Sequence, residues 1–265
     1  MRIGDIEILP VYDGATWELA DDMLRRPGVQ DPWSCHPGAV DEHGRLHFEV
    51  GGFLVRSADR LVLVDAGVGQ VSKGRHQGGQ FLDSLAAHGV QPEDVTDVLF
   101  THLHFDHVGW AAQQGSVIFT NATYRVHAAD WDFFVESPDP HPGALRKLRP
   151  LESRLDLFDR DITLAPGIDA RHSPGHTPGS TVFIISSQGS RALLLGDTVH
   201  TTAELSEPDW EAIMDVDPAA GTAVRKALSE ELADSGDLVT AAHFPDFRFG
   251  RVVTGMDSVR RFHFL

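Results

Sequence analysis

The sequence predicts an α/β protein in which sheets are covered by helices. Two observations lead there. Short runs rich in Val, Ile, Leu, Phe and Thr recur along the chain, bounded by Gly, Pro, Asp or Ser, and several are apolar almost throughout, as strands covered on both faces are. Helical patterns fall between these runs over the same length of chain. No low-complexity tract, long charge run or linker divides the 265 residues, so a single domain over 1–265 is expected.

The strand-like runs are "IEILPV" (6–11), "GFLVRS" (52–57), "RLVLVDAG" (60–67), "TDVLFTH" (96–102), "ATYRVH" (122–127), "STVFIIS" (180–186), "RALLLGD" (191–197) and "LVTAAH" (238–243). In "GGQFLDSLAAHG", Phe81, Leu82 and Leu85 share one helical face, and Gly89 can supply the left-handed residue that ends a helix. "DPAAGTAVRKALSEELADSG" opens with Asp217 as N-cap and Pro218 in the first turn. Val224, Leu228 and Leu232 follow at intervals of four, and Gly236 comes after the end. "HAADWDFFVES" (127–137) reads as a shorter helix. Residues 24–47, with Pro27, Pro32, Trp33 and Pro37, fit neither period and read as a lid, a binding loop or an ordinary surface excursion.

Composition narrows the function. With 39 acidic against 22 basic residues, the formal net charge is −17, which repels a polyanion over most of the surface, so nucleic acid is not an expected partner. Cys35 is the single cysteine, which rules out an internal disulfide and suits a reducing compartment. "MRIGDIEILP" lacks the apolar run of a signal peptide, and no stretch approaches the roughly 20 apolar residues that span a bilayer. The expectation is a soluble cytoplasmic protein without membrane association.

The chemistry concentrates in "THLHFDHVGW" (101–110), at the end of an apolar run. His102 and His104 are two apart and point the same way in extended backbone. Asp106 and His107 come as the chain turns, and Gly109 permits a tight path onward. Neutral imidazole and carboxylate suit zinc and related divalent ions. Burying four such groups without a metal would leave many polar atoms to satisfy. Further candidates follow other runs: His176 in "SPGHTPGS", read as a rigid, exposed turn, Asp197 in "LLLGDTVH", and His243 in "TAAHFPD".

H-x-H-x-D-H followed by separate His, Asp and His resembles the metallo-β-lactamase-fold hydrolases, from "VLVDAG" to "AAHFPD". The resemblance implies an αββα sandwich of two mixed β-sheets, helices on the outer faces, and two metals in a cleft at one edge. It implies that His102, His104 and His176 hold one metal and Asp106, His107 and His243 the other. Asp197 would bridge them, and Asp65 would be a structural residue behind the ligands. Two Zn²⁺ per chain are expected, with Mn, Co or Fe compatible with the same donors.

A bridging aspartate is similar to the glyoxalase II and lactonase branches. No basic cluster for glutathione is evident, which leaves a lactonase- or esterase-like enzyme. Its implied mechanism is attack by a metal-bridging hydroxide on a small-molecule lactone or ester, with Asp106 shuttling the proton. Lactonases of the acyl-homoserine type carry a tyrosine three residues after the bridging aspartate. Here that position is His200, which reads either as a second catalytic residue that hydrogen-bonds substrate or as an exposed strand end. The departure keeps open an arylesterase or phosphotriesterase of organophosphate-hydrolase type. Apart from it, the alternatives are an iron-dependent thiol dioxygenase and a catalytically inactive metal-stabilised binding protein, against which the intact ligand set argues. A homodimer also stays open.

Cys35 reads as an incidental thiol. His36, His43, His47, His76, His88, His127, His141, His172 and His263 read as solvated or core residues. Trp33, Phe48, Phe105, Trp110, Phe244 and Phe247 read first as core and second as an apolar wall beside the metals.

Overall fold

A computed structural model describes every residue except Asp139 and His141, so the expectation for His141 lies outside the described residues. Two sheets carry the fold. The first runs, in spatial order, Leu155–Phe158, Thr123–His127, Asp97–Leu99, Arg60–Val64, Arg45–Ser57, Ile6–Leu19, His76–Gln77 and Ser72–Lys73, with Arg2–Ile3 paired to the long second strand. The second runs Ile162–Ala165, Ile168–His172, Thr181–Ser187, Ser190–Leu194, Leu238–Thr240, Gly250–Thr254 and Arg260–Phe264. Both mix parallel and antiparallel pairs.

Side-chain alternation shows how the layers stack. In Arg60–Val64, Val62 and Val64 face the second sheet, where they meet Phe183, Ile185, Ala192 and Leu194. Leu63 faces the other way, toward Phe81 and Leu85 of the helix Phe81–Ala87. In the second sheet Leu193 and Val239 turn outward onto Leu228 and Leu232 of the helix Pro218–Leu232. Period-2 strands thus bury one face on the partner sheet and the other on helices, which gives the expected αββα sandwich.

The helix ends follow the sequence reading. Asp217 accepts from the Ala220 N–H at 3.0 Å, and Gly89 takes φ +74°. The helix expected over 127–137 is a turn of α-helix, Ala128–Trp131, that widens into a π-type turn at Asp132–Glu136. Among the described residues no helix is long and apolar enough to cross a membrane.

Several strands lie outside the sequence reading: Leu155–Phe158, Ile162–Ala165, Ile168–His172, Gly250–Thr254 and Arg260–Phe264. They lie at the sheet margins and are partly exposed, and in Leu155–Phe158, Ile168–His172 and Arg260–Phe264 apolar residues are interspersed with Asp, Arg and His instead of forming runs. Residues 24–47 are docked rather than loose. Leu24–Arg25 pairs with Glu211–Ala212, Trp33 stacks on Trp210 with ring centroids 4.5 Å apart, and Glu207 accepts from Arg26 and His36.

Asp13 ties the first sheet to the loop that follows it. The carboxylate is fully buried. One oxygen accepts from the backbone N–H of Val68 and Gly69, the other from those of Gly79 and Phe81 and from the Trp110 indole, all at 2.8–3.0 Å.

Candidate metal centre

Three of the proposed ligands follow the ends of strands, one in the first sheet and two in the second. His102 follows Asp97–Leu99, Asp197 follows Ser190–Leu194, and His243 follows Leu238–Thr240. Asp197 sits in a short 3-10 turn at Gly196–Thr198, past the strand that was expected to reach it. Gly109 makes the tight path possible: a Cβ there would lie 1.9 Å from the Val68 carbonyl carbon. Asp65, at φ +62°, turns its carboxylate back to accept from the Thr101 N–H, the Thr101 hydroxyl and His107 Nδ1 at 2.8–2.9 Å.

The turn around His176 is a correction. It is buried, not exposed: Ser173, His176, Thr177 and Ser180 are all sealed in, and Gly175 lies against Gly221 of the helix Pro218–Leu232. Asp130 locks this turn to the first motif. Its carboxylate accepts from Leu103 N–H at 3.0 Å and Gly179 N–H at 2.6 Å, and burial pushes its carboxyl up to about 6.

Two groups of donors result. His102, His104, His176 and Asp197 converge in one, and Asp106, His107 and His243 in the other, the donor atoms of each lying within 4.8 Å of one another. Asp197 joins them, with Oδ1 3.3 Å from His107 Nε2 and Oδ2 3.2 Å from His243 Nε2 and 3.6 Å from His176 Nε2. Asp106 Oδ2 lies 3.7 Å from His243 Nε2 and 3.9 Å from His107 Nε2.

The donors fit divalent cations. His104 Nδ1 lies 2.9 Å from both His102 Nε2 and His176 Nε2, and one ring proton cannot serve both contacts. Burial holds all three rings toward the neutral form: His102 well below its usual value, His104 down to about 3, and His176 below its usual value. A neutral ring keeps one nitrogen free of a proton, which is the form that binds a cation. Among the described residues, His107 Nε2 and Asp197 Oδ1 are buried without a hydrogen-bond partner.

In the second group the carboxylates win. Burial alone would lower His107 and His243, but Asp197, aided by Asp65 and Asp106 at His107 and by Asp106 at His243, holds His107 well above its usual value and His243 at about 9. Asp197 resists its own burial and stays well below the usual carboxylate range because His243, His107 and His102 surround it. Such a carboxylate is a ready anionic bridge.

The other ring nitrogens are held from behind, which fixes ring orientation. His107 Nδ1 donates to Asp65, His243 Nδ1 to the Glu49 carbonyl at 2.8 Å, and His176 Nδ1 faces Asp215 at 3.3 Å. Asp215 also pairs at 2.9 Å with Arg225, which is fully buried inside the helix Pro218–Leu232 and approaches Glu204 at 3.9 Å. Neither Asp130 nor the group Asp215, Arg225 and Glu204 carries a motif. A charged residue inside an apolar helical pattern, as at Arg225, was the one signal available.

His200 is 2% exposed, so its reading as an exposed strand end is overturned. Its Nε2 lies 3.8 Å from Asp197 Oδ2 and its Nδ1 3.5 Å from Glu204 Oε1, and it helps to wall a cleft of about 790 Å³. Phe48 and Phe244 line the same cleft, as do Cys35 and His36. The other aromatic candidates have different roles: Trp33 packs on Trp210, Phe247 lies in the core between the sheets, Trp110 donates to Asp13, and Phe105 is exposed beside His76.

A β-sandwich that brings these two donor groups together has the ligand set of a dinuclear metal centre. The chain belongs to the metallo-beta-lactamase superfamily, whose description matches residues 52–243. It is similar to an N-acyl homoserine lactonase of a Bacillus species, 26% identical over 176 residues, covering 60% of this chain and 67% of that protein. The structure of the dizinc quorum-quenching lactonase AidC, solved with a homoserine product, shares the fold at a TM-score of 0.87 and 24% identity, covering 100% of this chain and 95% of that one. A ribonuclease of Thermus thermophilus is also similar, 30% identical over 185 residues, or 64% of this chain and 40% of that protein. The expectation that nucleic acid is not a partner therefore rests on charge alone.

Proposed function

We propose that residues 1–265 form one metallo-hydrolase domain that opens lactones or cleaves carboxylic esters at a dinuclear zinc centre. The observation that carries this reading is the convergence of seven ligand-type side chains, with Asp197 between the two groups, next to a cleft of about 790 Å³ that His243, one of the seven, and His200 help to line. Similarity to lactonases supports the substrate class. His102, His104 and His176 would hold one ion, Asp106, His107 and His243 the other, and Asp197 both. When bound, the ions would polarise the scissile carbonyl and acidify a water for attack. Asp106, the least buried of the carboxylates in the centre, accepts the proton and passes it to the leaving oxygen. His200 donates from Nε2 to the oxygen that gains charge, because Glu204 stands behind its Nδ1 and, against burial, favours the doubly protonated ring. A cytoplasmic setting is proposed on the single cysteine.

Turnover of acyl-homoserine lactones, aryl esters and phosphotriesters by zinc-loaded protein tests the reading. Lactone or ester hydrolysis is expected to exceed phosphotriester hydrolysis, to stop on chelation and to return with zinc. Faster phosphotriester turnover would move the assignment to that class, and no turnover with full metal would favour a binding protein. On the best substrate, His200→Ala should keep its metal and lose roughly 10²- to 10³-fold in kcat, the usual effect of one oxyanion donor. His200→Tyr should recover part of the loss. Kinetics within about twofold of the parent would remove His200 from the reaction.

A further inference from the structure

The cleft's charged residues sort into those already engaged and one that is not. Asp41 accepts from Arg45 and His47, and Glu207 from Arg26 and His36. Arg261 pairs with Asp257 at 2.6 Å. Glu49, which lies beside His243, takes the Asp246 N–H at 3.4 Å, and burial raises its carboxyl toward the neutral form. Arg260 is different. It lines the cleft, donates to Ser229 Oγ at 3.0 Å, and has no carboxylate within 4.0 Å among the described residues. Asp234 senses its charge, yet that carboxylate is occupied by the Thr254 N–H at 2.9 Å.

The strand Arg260–Phe264 places this cation. Arg260, Phe262 and Phe264 alternate with the more exposed Arg261 and His263, so the three share the inward face. Phe262 N–H donates to Ser206 Oγ at 3.3 Å, which fixes the strand to the helix Ala203–Ser206, a short step beyond His200. A molecule whose reacting carbonyl lies at His200 and His243 therefore has an apolar path along Phe48, Phe244 and Phe262, with an unpaired guanidinium on the same wall. The chain carries a net charge of −17, and screening over about 8 Å lets this cation act locally despite the surrounding acids.

We propose that the preferred substrates are lactones or esters whose acyl arm carries a carboxylate, and that Arg260 is the specificity residue that receives it. This rests on the hydrolase reading above. Guanidinium and carboxylate match as a forked, charge-assisted pair, which an arm ending in methyl cannot form.

The test uses metal-loaded full-length protein. Monoaryl esters of succinic, glutaric, adipic and suberic acids are compared with aryl esters of the monoacids of equal length. At the best-fitting length the charged ester should have the higher kcat/KM by roughly tenfold to a hundredfold. In Arg260→Gln that ratio should fall to near one, and Arg260→Lys should keep part of it. A neutral ester preferred at every length, or an unchanged ratio in Arg260→Gln, would overturn the proposal. The hydrolase reading fails only if the lactones, esters and phosphotriesters above are all left intact; if no ester of this series is hydrolysed, Arg260 is judged by calorimetry with the free diacids and monoacids. Tighter diacid binding that Arg260→Gln abolishes supports its role, and equal binding overturns it.

Discussion

Asp197→Ala is expected to lose roughly 10³-fold or more in turnover of the best lactone or ester while the protein still folds. Asp197 is the one side chain, among the described residues, whose oxygens approach both donor groups. Two cations held close together without an anion between them repel strongly in a buried site. The scaffold around Asp197 survives because its carboxylate orders little else: Oδ1 has no hydrogen-bond partner and Oδ2 takes only His243. Circular dichroism and thermal unfolding should show a folded variant, and metal content should fall. Near-normal turnover with both metals retained would remove Asp197 from the centre. Asp197→Asn, which keeps the shape and loses the charge, should bind metal more weakly than the parent.

The largest effect on stability is expected at Asp13, away from the ligands. Asp13→Ala leaves five buried or part-buried donors short of their acceptor: the N–H groups of Val68, Gly69, Gly79 and Phe81 and the indole of Trp110. An unsatisfied buried donor costs about 1–3 kcal/mol, and partial relaxation keeps five from adding fully. A loss of about 4 kcal/mol or more is expected from denaturant unfolding, at the upper end of what single substitutions do. Asp13→Asn should cost less, because its amide oxygen still accepts. A loss under about 1 kcal/mol for Asp13→Ala would mean that these donors find other acceptors.

The contrast between Asp13 and Asp197 shows what was legible in the chain. Asp197 ends a run of apolar residues, and a carboxylate there asks for a cation. His243 was readable as a candidate for the same reason, and His102, His104, Asp106 and His107 by their spacing; the apolar runs pointed to sheets covered by helices, and the resemblance carried by the motif supplied the sandwich and the place of His176. Asp13 sits in "VYDGATW", where Asp before Gly reads as a turn. Only the fold brings residues 68–81 and 110 around it. Asp130 and Asp215 were invisible on similar grounds, since each acts through partners distant in sequence, and Arg225 showed only as a charge in an apolar helical pattern. The marginal strands escaped because half of each is polar. The burial of the turn around His176 was missed because Pro, Gly and Ser ordinarily mark exposed loops, whereas here they let the chain pack closely against the helix Pro218–Leu232.

The most direct measurement is the metal content of protein prepared without chelator, taken on the parent and on Asp197→Ala in parallel. The seven donors in two groups predict about two divalent ions per chain in the parent and about one or fewer in the variant. Fewer than one ion per chain in a fully active parent would contradict a dinuclear centre.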